Sequence, residues 1–256
     1  MNGFEAQTEK RNLALFQEYV ARDRKAYGFS IDFLITDQVA QDWYGPQNQE
    51  MIERLWCVEN LRPGMVAVDC GAHHGMMTAL FAKRVGPQGL VHAFELLPAN
   101  ANVITRNVAL NRLGNVRVVP AGVSEFSSVD RAQTQQGNAV LHNEGDAIVR
   151  LVSLDEEFGG RIKIDFLKLD VEGCELAALR GARKTLAHSR PLIDLEIHSF
   201  LFADPEKEVA AIFDEVGPKW RFGVSDNQSP IEDMGSAPDI QRIAGMFNPH
   251  VFLTPC

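Results

Sequence analysis

Apolar positions along the chain alternate between short continuous runs and stretches with helical spacing. Met65 to Val68 is an apolar run long enough for a buried strand, and Asp69 ends it. Gly71 and Gly75 follow, and Met77, Leu80, Phe81 and Val85 then recur at helical intervals within Met76 to Val85. Gly86-Pro87 closes that helix, and Gly89 resets the chain for a second strand, Leu90 to Glu95. Pro98, in a favoured first-turn position, opens a helix that turns Val103, Ile104, Val108 and Leu110 inward. Asn115 to Pro120 predicts a third strand, Ile162 to Asp170 a fourth and Pro191 to His198 a fifth. Glu175 to Ala187 predicts one helix buried through Leu176, Leu179 and Leu186. Asp204-Pro205 caps another through Val216, and Trp220 to Val224 with His250 to Thr254 predict a closing antiparallel pair. Strands that alternate with helices in this way imply a doubly wound α/β sheet.

Three stretches are less regular. Within residues 1–60, Leu13, Phe16 and Val20 are helically spaced in Thr8 to Arg24, and Gly28 breaks the pattern. Ile31 to Trp43 is a second apolar stretch, and Gln49 to Asn60 predicts a helix. A helical cap packed on the sheet edge fits, and so does a substrate wall carrying Trp43 and Tyr44. Ser124 to Asp146 is polar and predicts a loop or hairpin excursion, with a strand at Ile148 to Leu154 and a short helix at Asp155 to Phe158. Ser225 to Asn248, with Pro230 and Pro238, is long enough to be a lid. No internal repeat occurs. The expected division is a cap over 1–60 and one folding unit over 61–256.

The turn from Asp69 to Gly75 joins a strand to a helix, the first unit of a nucleotide-binding sheet, and glycines let backbone approach a ligand closely. Glu95 ends the next strand, at the spacing where an acid takes both hydroxyls of a ribose. GxGxxG is absent and no GKS or GKT follows. A glycine turn without phosphate-binding chemistry suits an adenosine cofactor that lacks phosphate, and S-adenosylmethionine is such a molecule.

Four motifs then resemble the FkbM family of methyltransferases. They are Asp69-Cys-Gly-Ala-His-His-Gly75 with Thr78, and Ala93-Phe-Glu-Leu-Leu-Pro-Ala-Asn100. Leu167-Lys-Leu-Asp-Val-Glu-Gly-Cys-Glu175 with Leu179-Arg-Gly-Ala182 follows, and then Arg190-Pro-Leu-Ile-Asp-Leu-Glu-Ile-His198. The resemblance implies a class I, Rossmann-like fold: a seven-stranded, mostly parallel sheet, here with an N-terminal helical extension. It also implies S-adenosylmethionine as methyl donor and O-methylation of hydroxyls on sugars and natural products. Carried onto this chain, the donor site takes in Asp69, Gly71, Ala72, His73, Gly75, Thr78, Glu95, Leu96, Ala121, Gly122 and Asp170. His73 stands where the family usually has Asn. Histidine tolerates positive φ better than most residues, so the turn can be kept.

Composition adjusts this picture in few places. With 256 residues, 45% hydrophobic and 23% charged, the chain can build one sizeable core. A formal charge of −9 argues against a nucleic-acid partner, which needs clustered Lys and Arg. No run approaches a membrane span, the first ten residues are polar, and the four cysteines lack CxxC pairing. The expectation is a cytoplasmic protein with reduced thiols; a homodimer stays open.

Methyl transfer from a sulfonium requires donor and acceptor in line, and a hydroxyl acceptor calls for a base or a metal. Ligands of open α/β sheets sit at the carboxyl ends of strands. Asp170, Glu172 and His198 are therefore the candidate catalytic residues, with His198 as base. Asp170, Glu196 and His198 are a candidate set for Mg²⁺ or another divalent ion. Plainer roles fit as well: Glu172 as a helix cap, Asp170 bonding the loop, His198 as a structural histidine. Competing functions are a nicotinamide dehydrogenase, disfavoured by the missing pyrophosphate loop, methylation of protein or RNA, and a non-catalytic scaffold.

Overall fold

In the computed structural model, which describes residues 16–45, 51–135 and 138–256, strands and helices alternate through most of the chain. An antiparallel hairpin of β1 (Tyr19–Ala26) and β2 (Phe29–Ile35) leads into α1 (Gln38–Tyr44) and α2 (Ile52–Asn60). Then come β3 (Val66–Cys70), α3 (Met76–Val85), β4 (Leu90–Phe94), α4 (Pro98–Leu110), β5 (Val116–Val119) and β6 (Gly122–Val123). β7 (Ser128–Gln135), β8 (Asn138–Leu141), β9 (Ala147–Val152) and α5 (Leu154–Glu157) form the excursion. The second half runs β10 (Phe166–Leu169), α6 (Glu175–Arg180), α7 (Arg183–Ser189), β11 (Leu192–Glu196), α8 (Pro205–Val216), β12 (Trp220–Ser225), β13 (Glu232–Gly235), α9 (Ile240–Gly245) and β14 (His250–Pro255).

The main sheet has the order β13-β12-β14-β11-β10-β3-β4-β5. From β5 to β11 every pairing is parallel, and β14 enters antiparallel between β11 and β12. β3, β4 and β10 are buried almost throughout because helices cover both faces. This is the class I methyltransferase architecture. The sheet holds eight strands rather than the expected seven, because β13 pairs with β12 at the edge.

The N-terminal extension corrects the helical expectation over its first half; residues 8–15 of the expected helix lie outside the described residues. Phe29, Ile31, Phe33 and Ile35 share one face of β2, a period of two that buries Ile31, Phe33 and Ile35. Tyr27 and Gly28 both have positive φ, 49° and 83°, so Gly28 turns a hairpin instead of ending a helix. The outer edge of β2 is sealed by side chains of α4. The Leu34 amide donates to Asn107 Oδ1 at 2.8 Å and the Asp32 amide to Asn111 Oδ1 at 3.0 Å. Asn107 Nδ2 in turn donates to the carbonyl of His74, at 2.9 Å.

Three further differences have local causes. The helix expected from Glu175 to Ala187 is two, α6 and α7, because Asp155 caps the second through the amides of Lys184 and Thr185. The excursion forms its own four-stranded sheet, β6-β9-β7-β8. The stretch read as a lid carries β13 and α9, with Ile243 fully buried. Among the described residues no helix is long and apolar enough to cross a membrane.

Candidate active site

A cavity of about 600 Å³ opens at the carboxyl ends of the parallel strands. One wall is the turn after β3. A Cβ on Gly71, at φ 80°, would overlap the carbonyl of Asp170, so only glycine lets β3 and β10 end this close together. His73 has φ 50°, as its place in the turn requires, and its amide donates to Glu95 Oε2 at 2.8 Å. Glu95 Oε1 accepts from the amide of Leu97 at 2.9 Å and from Asn100 Nδ2 at 3.3 Å. Burial raises the Glu95 carboxyl to about 7, against those three donors. Asp69 is fully buried; its Oδ2 accepts from Thr78 Oγ1 at 2.6 Å, while Oδ1 has no partner among the described residues.

A polar row runs across the sheet beside the cavity. Register puts Asp69, Lys168 and Asp194 side by side on β3, β10 and β11, pointing to one face. Lys168 Nζ reaches Asp170 Oδ2 at 2.7 Å and Glu53 Oε1, from α2, at 3.7 Å. Burial opposes the ammonium, but Asp170, Glu53, Asp69 and Asp194 outweigh it and hold Lys168 well above its ordinary range. His250 Nδ1 lies 3.0 Å from Asp194 Oδ1, and its Nε2 is 3.6 Å from Glu196 Oε2.

His198 is the hub. Its Nδ1 bonds Glu175 Oε1 at 2.7 Å, and its Nε2 lies 3.7 Å from Asp170, 3.7 Å from Glu172 and 3.8 Å from Glu196. Burial disfavours the imidazolium, yet the Glu175 bond and the charges of Asp170 and Glu196 hold it up to about 9. The surrounding carboxylates thus favour the protonated form of His198. Burial also raises Glu196, to about 8, with Asp170 adding to the effect.

The model of the Methyltransferase FkbM domain matches residues 69–220, more than half of the sequence. The chain belongs to the FkbM methyltransferase family. Methyltransferase sdnD of Sordaria araneosa is 29% identical over 64% of this chain and 75% of its own. Methyltransferase 1 of Beauveria bassiana is 30% identical over 51% and 63%. The crystal structure of Methyltransferase FkbM from Methylobacillus flagellatus is 18% identical, with a TM-score of 0.47. It covers 75% of this chain, and this chain spans 44% of its length.

Within this FkbM-family chain, the cavity brings together Asp69, Gly71, Ala72, His73, Glu95, Leu96, Gly122, Asp170, Glu172, Glu196 and His198. Gly75, Thr78 and Ala121 stand outside its lining: Gly75 opens α3, Thr78 holds Asp69, and Ala121 is wholly buried. Sequence reading did not find Glu53, Arg54, Asn227 and His250, which line the cavity, or Asp194, which holds His250. Lys168 and Asp194 did leave a signal, as charged residues at the centre of otherwise apolar strands. Nothing comparable marked Glu53 or Arg54 on an amphipathic helix.

Proposed function

We propose that this chain transfers a methyl group from S-adenosylmethionine to a hydroxyl of a small molecule, a sugar or natural product. The observation that carries this reading is that the Asp69–Glu95 turn and the His198 cluster line one cavity. The residues present fit the donor. Asp69 Oδ1 is a buried acceptor without a partner among the described residues, suited to an ammonium group. Glu95 follows β4 and lines the cavity, where ribose hydroxyls can donate to it. Leu96 and Gly122 would flank the base. When bound, S-adenosylmethionine supplies an electrophilic methyl group on a sulfonium.

The chain's own part is to orient the acceptor and take its proton. Asp170, Glu172 and Glu196 offer carboxylate oxygens, and the His198 imidazolium, fixed by Glu175, keeps them together. The family resemblance supports the acceptor class, and the charge of −9 supports a partner other than nucleic acid.

One observation favours a metal-assisted version of the same reaction. Ligand atoms of Asp170, Glu196 and His198 lie within 4.8 Å of one another. Two carboxylates suit a divalent ion such as Mn²⁺, and an imidazole whose other nitrogen is held by an acid can join them once the ion displaces the Nε2 proton. EDTA would then abolish turnover and Mn²⁺ restore it, whereas unchanged turnover would leave the proton to the carboxylates alone.

The test is release of S-adenosylhomocysteine with a panel of sugar and polyketide hydroxyls. His198→Ala is expected to lower turnover about 10²- to 10⁴-fold while leaving S-adenosylhomocysteine affinity unchanged. Full turnover in that variant would sink the assignment.

A further inference from the structure

Arg54, on α2, lines the cavity, and its buried Nε has no hydrogen-bond partner among the described residues. Its guanidinium carbon lies 6.0 Å from the centre of the Tyr44 ring. Tyr44 Oη is in turn 3.0 Å from His73 Nδ1, so this ring ties Arg54 to the turn after β3. The rest of the wall is acidic, with Glu53, Asp69, Asp170 and Glu196 among its residues. Lys168 is engaged by Asp170 and Glu53, and His198 and His250 are ringed by carboxylates. Among the described cations that line this cavity, Arg54 is therefore the one that no carboxylate engages, and a ligand carboxylate can take it. A ligand ammonium meets an unengaged oxygen at Asp69 Oδ1. A cation that no carboxylate engages and a buried carboxylate oxygen without a hydrogen-bond partner, in one cavity, match the two charges of an α-amino acid.

We infer that Arg54 is the anchor for the carboxylate of an amino-acid zwitterion, and that the methionine moiety of the methyl donor supplies it. This rests on the donor site proposed above. A planar guanidinium can take both carboxylate oxygens at once, and a neutral side chain of similar length cannot. Recognition of the tail's carboxylate then falls to the N-terminal extension, outside the residues that the family model matches.

Two adenosine ligands separate the possibilities. S-adenosylhomocysteine carries the amino-acid tail, and 5′-methylthioadenosine does not. Arg54→Gln is expected to weaken S-adenosylhomocysteine at least tenfold in calorimetric titration. Its affinity for 5′-methylthioadenosine should stay within twofold of the unaltered protein's, which also shows that the variant folds. Loss of both affinities by one factor, or of neither, overturns the inference. If only acceptor-dependent turnover falls, the guanidinium serves the acceptor, and the inference is again overturned. Failure of the unaltered protein to bind either ligand would instead remove the donor-site reading beneath it.

Discussion

Glu95 illustrates how one buried carboxyl can report on ligand binding. Burial raises it to about 7, so below that pH it is largely protonated in the free protein. Ribose hydroxyls donate hydrogen bonds, so binding favours the carboxylate, and a proton must leave when the donor binds at lower pH. Affinity for S-adenosylhomocysteine is therefore expected to rise as pH increases through about 7 and to level off above it. Titration at pH 6 in two buffers of different ionisation enthalpy reads the released proton directly. Glu95→Gln should flatten the profile and weaken binding at least tenfold; a profile unchanged by that substitution would take the ribose away from Glu95. Gly71 makes a steric case at the same scale. Gly71→Ala sets a methyl group against the Asp170 carbonyl at positive φ, and a loss of about 2 kcal/mol or more is expected in the denaturant midpoint.

The elements differ in how far they could be read from the sequence. β3, α3, β4 and α4 were legible because each carries its period within a dozen residues and is punctuated by glycine or proline. The β1–β2 hairpin was not. Tyr19–Ala26 is mostly polar, so its apolar positions fit a helix as well as a strand, and only its partner β2 decides. The cavity residues of the turns after β3 and β4 were legible for a related reason: they cluster in two short stretches. Much of the polar row was not, because its pairs are assembled across the sheet. Cys57 meets Asp194 and Asn227 meets Glu53, contacts that no local pattern announces. Lys168 is the element-scale test of that row. Lys168→Met leaves Glu53, Asp69 and Asp170 facing one another without their cation, and a loss of about 3–5 kcal/mol is expected in equilibrium unfolding. A neutral outcome would mean that the carboxylates share protons enough to stand alone.

At the scale of the molecule, two sheets and an N-terminal extension converge on one cavity, so a ligand held there should brace the whole chain. S-adenosylhomocysteine at a hundred times its Kd would add about 2.7 kcal/mol to stability and raise the melting temperature by several degrees. NAD should add nothing, since no pyrophosphate loop exists to hold it; an equal shift with NAD would revive a dehydrogenase. The extension is joined to the turn after β3 through Asn107, whose amide group bonds Leu34 in β2 on one side and the carbonyl of His74 on the other. The Leu34 amide thereby becomes a remote reporter: when a ligand steadies the turn, its exchange with deuterium should slow. Occupancy of the cavity could then be followed at a hairpin that stands outside its lining.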